Sequence, residues 1–209
     1  MKQHSIASFR RSTWAGSSRI IRLRIGSLWT SSGAWFASIA LASISLIISP
    51  NVVGILGAAL AIVAIAIADI DRRRFVIPNW LNGVGVVVGV LYAIAREPEP
   101  MVRSVMDATT RGIVAALALL LLRYVYGRLR GRQGIGLGDV KLAGVGGVWL
   151  NWFMIPFAIQ FATLAALAWY GAKQTLSKRR IAKTDRVPFG LFFAPAIWVC
   201  WLLQTILLF

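Results

Sequence analysis

Three of the seven acidic residues stand where the sequence is otherwise apolar. Asp69 and Asp71 close one hydrophobic tract, and Asp139, within IGLGDVKL (135–142), opens another. Apolar surroundings penalise the charged form of a carboxylate, so two such groups facing each other do not both ionise readily; one keeps a proton while the other acts as a base. A pair of that kind can orient a water, take its proton as it attacks an amide carbonyl, and protonate the departing nitrogen. Gly136 and Gly138 remove side-chain bulk beside Asp139, letting the chain turn sharply and a peptide backbone approach.

Plainer readings stand beside this one. Asp69 and Asp71 can pair with Arg72–Arg74 as a boundary signal, and Asp139 can cap or charge the first turn of a helix, a role compatible with catalysis. The glycine motif lacks the spacing of a phosphate loop and follows no strand. His4 sits in a polar tail, and Cys200, the single cysteine, lies in an apolar stretch where a packed small hydrophobe is expected. No metal site and no cofactor is expected from this inventory.

The elements that must position these acids are membrane helices. The chain has 209 residues, 58% of them hydrophobic and 14% charged, with a mean hydropathy of +0.72. Several windows are long enough and apolar enough to cross about 30 Å of hydrocarbon. The spacing predicts an all-α polytopic protein of six or seven spans, near 34–49, 52–70, 80–95, 109–126, 139–150, 153–170 and 189–208. The span at 139–150 is short enough to be a half-span. Residues 1–32 read as a basic cytoplasmic segment, either amphipathic on the inner leaflet or unstructured, and 33–209 as the membrane-embedded domain.

Net charge is +16, yet the basic residues fall in short clusters between apolar spans, which is the pattern of loops facing anionic lipid rather than a nucleic-acid surface. Segments 1–32, 71–79, 123–141 and 173–186 hold 20 of the 23 basic residues. Seven spans with the N-terminus inside place all four on the cytoplasmic side. Asp71 and Asp139 then share that side, because two spans separate them. Arg111 and Arg123 read as snorkelling residues near the ends of the fourth span.

IDRRRFVIPNWL (70–81), GLGDVKLAG (136–144) and VPFG (187–190) together resemble the type IV prepilin peptidases, membrane aspartyl proteases of the Gly-x-Gly-Asp class. The resemblance covers roughly residues 50–209. It implies Asp71, seven residues before Pro78, and Asp139 as the catalytic pair, with Asp69 in reserve for the first acid. It implies supporting roles for Gly136, Gly138, Lys141, Pro78, Asn79, Pro188, Phe189 and Gly190. The substrates implied are prepilins or pseudopilins, cut after a glycine on the cytoplasmic face of a bacterial inner membrane; contact with pilus assembly machinery is a further implication. Arg72 departs from the apolar residue more usual after the first aspartate. Long members carry paired CxxC cysteines and methylate the new N-terminus. With one cysteine, this chain resembles the short, peptidase-only form that accompanies Flp/Tad pili, needing neither S-adenosylmethionine nor zinc.

Two other functions remain open at this level. A small proton- or cation-coupled transporter would use intramembrane acids, though nearer the midplane and within repeated halves, and no internal repeat is visible. A catalytically inactive assembly factor would keep the framework without the chemistry.

Overall fold

A computed structural model describes residues 32–97, 100–131, 134–177 and 188–207. The expected N-terminal segment, apart from Ser32, and most of the basic loop before Pro188 lie outside them. Among the described residues there are seven helices and no strand: α1 (Ser32–Ile48), α2 (Val52–Arg74), α3 (Asn79–Arg96), α4 (Met101–Arg130), α5 (Leu137–Trp149), α6 (Met154–Ser177) and α7 (Gly190–Leu207). The protein is an all-α polytopic membrane protein. Five helices (α2, α3, α4, α6 and α7) are long and apolar enough to cross a membrane. The first, α1, is a shorter apolar helix of 17 residues. At 13 residues α5 extends only about 20 Å, too short for a full crossing.

Each boundary has a local cause. The turn after Pro50 is closed by Asn51, whose Oδ1 accepts from the backbone N–H of Val53 at 2.9 Å and so caps α2. At its other end α2 stops at Phe75, which adopts a left-handed conformation (φ 53°) and donates its N–H to the Asp71 carbonyl. Pro78 then precedes the first residue of α3, where a missing N–H costs nothing. The reversal between α2 and α3 takes only residues 75–78.

Packing sets the depth order. α2 packs on α1, α3 and α7, while α5 packs on α3, α4 and α7. More than half of the apolar stretch of α2 and of α7 is buried inside the bundle. By contrast α6 shows Phe157, Leu164, Leu167 and Trp169 on its surface, a lipid-facing exterior. Glycines let α5 sink among its neighbours: Gly85 meets Val145, Gly89 meets Val148 and Trp149, and Gly147 lies against the Arg111 backbone, where a Cβ would come within 2.5 Å of its carbonyl oxygen. Gly83 is different, with open space around it. Cys200 is fully buried.

Because α3, α5 and α7 all start near the motif residues, they lead away from that end in the same direction. At the far end buried Gln204 joins them. Its Nε2 donates to the Trp149 carbonyl (2.9 Å) and to the Tyr92 hydroxyl (3.2 Å), and its Oε1 accepts from the Asn151 N–H (3.1 Å). The Tyr92 and Trp149 rings stack with centroids 4.9 Å apart.

Candidate active site

Asp69 and Asp71 lie two residues apart on one helix, roughly 200° around its axis, so they serve different faces. Both are buried. Asp69 turns toward the basic end of its own helix and pairs with Arg73 at 2.6 Å and Arg72 at 3.3 Å. Asp71 turns toward α7, and its Oδ2 accepts the backbone N–H of Leu191 at 3.1 Å. It thus caps the first turn of a helix 120 residues away in sequence, where unpaired N–H groups favour negative charge.

Gly190 makes that approach feasible. A Cβ there would stand 2.9 Å from Asp71 Oδ2 and 2.8 Å from Ile77 Cδ1. Ile77, buried in the α2–α3 connection, also touches the second motif: a Cβ on Gly138 would meet Ile77 Cβ at 3.1 Å. A single isoleucine therefore lies against glycines of both other motifs. The third tie is polar, from Lys141 Nζ to Asn79 Oδ1 at 2.8 Å. Pro188 is buried at the entry to α7, and Phe189 packs on Phe193 with ring centroids 5.3 Å apart.

Asp139 occupies the third position of α5, and its Oδ2 accepts the Gly136 N–H at 3.2 Å. The residue does charge the first turn of its helix, and its second oxygen receives no hydrogen bond from the described residues. Asp71 also has the Gly190 backbone N–H as a partner, so the first turn of α7 holds it with two donors. Asp139 lies on a helix outside the spanning set, and burial, with the charge of Asp71 as the lesser cause, pushes its carboxyl up to about 6. Asp71 and Asp139, 68 positions apart, thus lie within each other's field.

Two positioning residues were given no role by the sequence. Ile77 belongs to the 70–81 motif but reads there as one more apolar residue before its proline. Arg123, expected to snorkel, instead donates from α4 to the Ile135 carbonyl, steadying the turn that leads into Gly136. Its place one helix before a glycine loop was the only hint. Among the described residues no group of three or more His, Cys, Asp or Glu gathers as metal ligands.

The sequence resembles known proteins over the segment that carries both aspartates, though the family match stops short of the start of α7. The profile described as the Type IV leader peptidase family matches residues 58–171, more than half of the chain and including both Asp71 and Asp139. The chain belongs to that family. Among curated relatives of the family, the prepilin leader peptidase/N-methyltransferase of Aeromonas salmonicida (strain A449) is 27% identical over 154 residues, covering 69% of this chain and 51% of that protein. The protein of the same name from Dickeya chrysanthemi is 31% identical over 114 residues, covering 54% of this chain and 39% of its own length. That of Burkholderia pseudomallei (strain 1026b) is 34% identical over 91 residues, 44% of this chain and 29% of its length. The chain thus spans about half or less of these relatives. No solved structure matches it. With its five long apolar helices, this family member is a multi-pass inner-membrane protein.

Proposed function

We propose that the chain is a membrane aspartyl endopeptidase that removes the short basic leader from type IV prepilins or pseudopilins of the Flp kind, cutting after a glycine on the cytoplasmic side. The observation that carries this reading is the convergence of Asp71 and Asp139 at one end of the bundle, each held by backbone N–H groups at the start of a helix and each within the other's field. A water between the two carboxylates loses a proton to the ionised aspartate as its oxygen bonds to the scissile carbonyl carbon. The protonated partner then gives its proton to the amide nitrogen as the C–N bond breaks. The products are a leader carboxylic acid and a mature chain with a free amine, which become carboxylate and ammonium as the acid proton passes to the amine, and the pair returns to its single proton.

Asp71 rather than Asp69 is the first acid in this proposal, since Asp69 is engaged by Arg72 and Arg73 on the other face of α2. The clustering of basic residues in 71–79 and 123–141 supports the cytoplasmic placement of this end. The curated relatives carry leader peptidase in their names, and substrate class is taken from them. The test is cleavage of a synthetic prepilin by the purified protein in lipid, read as loss of the leader mass. Wild type should cut once, after the glycine, and Asp71→Asn and Asp139→Asn should not. Wild-type rates from a folded Asp139→Asn protein would sink the mechanism.

A further inference from the structure

A second polar site lies at the opposite end of the bundle, about 20 Å from Asn79 along α3. A cavity of about 100 Å³ opens there between the ends of α3 and α5 and the start of α4. Its lining includes Tyr92, Arg96, Glu97, Asp107, Arg111 and Asn151. Arg111 is the unusual member. It lies about three turns along α4, at the start of the apolar run 112–122, and it cannot shed its charge there. Its Nε is buried and makes no hydrogen bond to the described residues, and neither Asp107 nor Glu97 closes an ion pair with it within 4.0 Å. Ser104, also in the wall, is committed to the Glu97 carbonyl at 2.6 Å.

The charges define what fits. Among the described residues two guanidinium groups and two carboxylates line the cavity, so their charges sum to zero. A guanidinium with a free edge matches the paired oxygens of a phosphate. An anion alone would also meet the two carboxylates, whereas a ligand with an ammonium beside its phosphate would satisfy both signs. We propose that this cavity binds a phosphoethanolamine group, its phosphate on Arg111 and its primary ammonium toward Glu97 and Asp107. Two sources present that chemistry, an ethanolamine phospholipid of the surrounding leaflet and soluble phosphoethanolamine. This inference is independent of the peptidase reading.

The test is equilibrium binding by native mass spectrometry of the whole protein in detergent. The probes are dihexanoyl lipids with ethanolamine, glycerol or choline headgroups, and free phosphoethanolamine. The ethanolamine lipid should bind at least about tenfold more tightly than the glycerol lipid, and also more tightly than the choline lipid, whose quaternary ammonium cannot donate to the carboxylates. Arg111→Gln should abolish that preference. Should that variant fold poorly, Asp107→Asn, at an exposed position, should shift the preference toward the anionic glycerol lipid by about tenfold. Free phosphoethanolamine binding as tightly as the lipid would support the site and assign it to the soluble source; much weaker binding would support it and assign it to lipid. Equal affinity for ethanolamine and glycerol lipids, or a folded Arg111→Gln protein that keeps the preference, would overturn the proposal.

Discussion

The two ends of the helical bundle solve the same problem in opposite ways. At the far end three helices meet through Gln204, whose amide makes three hydrogen bonds under a stacked Tyr92–Trp149 pair. At the motif end three helices also meet, but around Ile77 and glycines, and the side chains brought together there are two carboxylates. Asp71 is held by backbone N–H groups of α7, and Asp139 by that of Gly136. A buried polar group left partly unpaired lowers stability, and such groups gather where reactivity needs them. One end holds the fold together; the other, in the proposed function, keeps two carboxylates close together for a water and a substrate peptide.

The strongest way to test that division is to remove the two carboxylates. Asp71→Asn and Asp139→Asn should each lower prepilin cleavage by about 10³-fold or more, since general acid and base catalysis are lost together. Circular dichroism should remain helical. Next come the glycines that let the motifs touch. Gly190→Ala should lower kcat by about 10²-fold, because its methyl would push Asp71 or Ile77 out of place. Gly83→Ala, with open space around it, should leave kcat unchanged. The far end should respond in the opposite sense: Gln204→Leu leaves the Asn151 N–H and the Trp149 carbonyl unpaired and should cost about 2–4 kcal/mol in thermal unfolding. The molecules that stay folded should cleave at the wild-type rate.

A subtler effect lies in the proton inventory. Asp139 titrates near 6, raised first by burial and second by the charge of Asp71. The singly protonated pair is therefore depleted as pH rises through about 6, and kcat should fall along that limb. Asp71→Asn removes only the lesser cause. Followed by carboxyl carbon NMR, the Asp139 midpoint should move down while staying above that of an ordinary aspartate.

Much of this was legible in the residues. Seven apolar tracts became seven helices with nearly the expected edges, because glycine, proline and asparagine punctuate them so plainly at Pro50-Asn51 and Pro78-Asn79. The main difference is α4, which starts at Met101 rather than near 109: the acidic and basic residues of its first turns are polar enough to read as a loop, yet helical backbone bonds are satisfied there too. The sequence could not choose between Asp69 and Asp71 as the residue facing the site, since both sit beside the arginines. Helical geometry separates them by sending one to Arg73 and the other to Leu191. Nor could pattern alone reveal Ile77, whose importance comes from shape: it fills space that two distant glycines leave.

The smallest expected effect concerns the one polar tie between motifs. Lys141 reaches Asn79 at 2.8 Å in an exposed setting, where such a bond contributes about 1 kcal/mol or less, or up to roughly fivefold in rate. Two roles are separable. If the bond only holds the start of α5 against α3, Lys141→Met and Asn79→Ala remove the same interaction, and the double variant should be no slower than either alone. If the ammonium charge also biases the aspartate proton, Lys141→Met should be slower than Asn79→Ala and should shift the alkaline limb of kcat. The geometry favours the first outcome, because Lys141 is committed to Asn79 while the hydrogen bonds to both aspartates come from backbone N–H groups. Equal single effects, a non-additive double and an unmoved limb would make Lys141 a strut between the two acid-bearing segments.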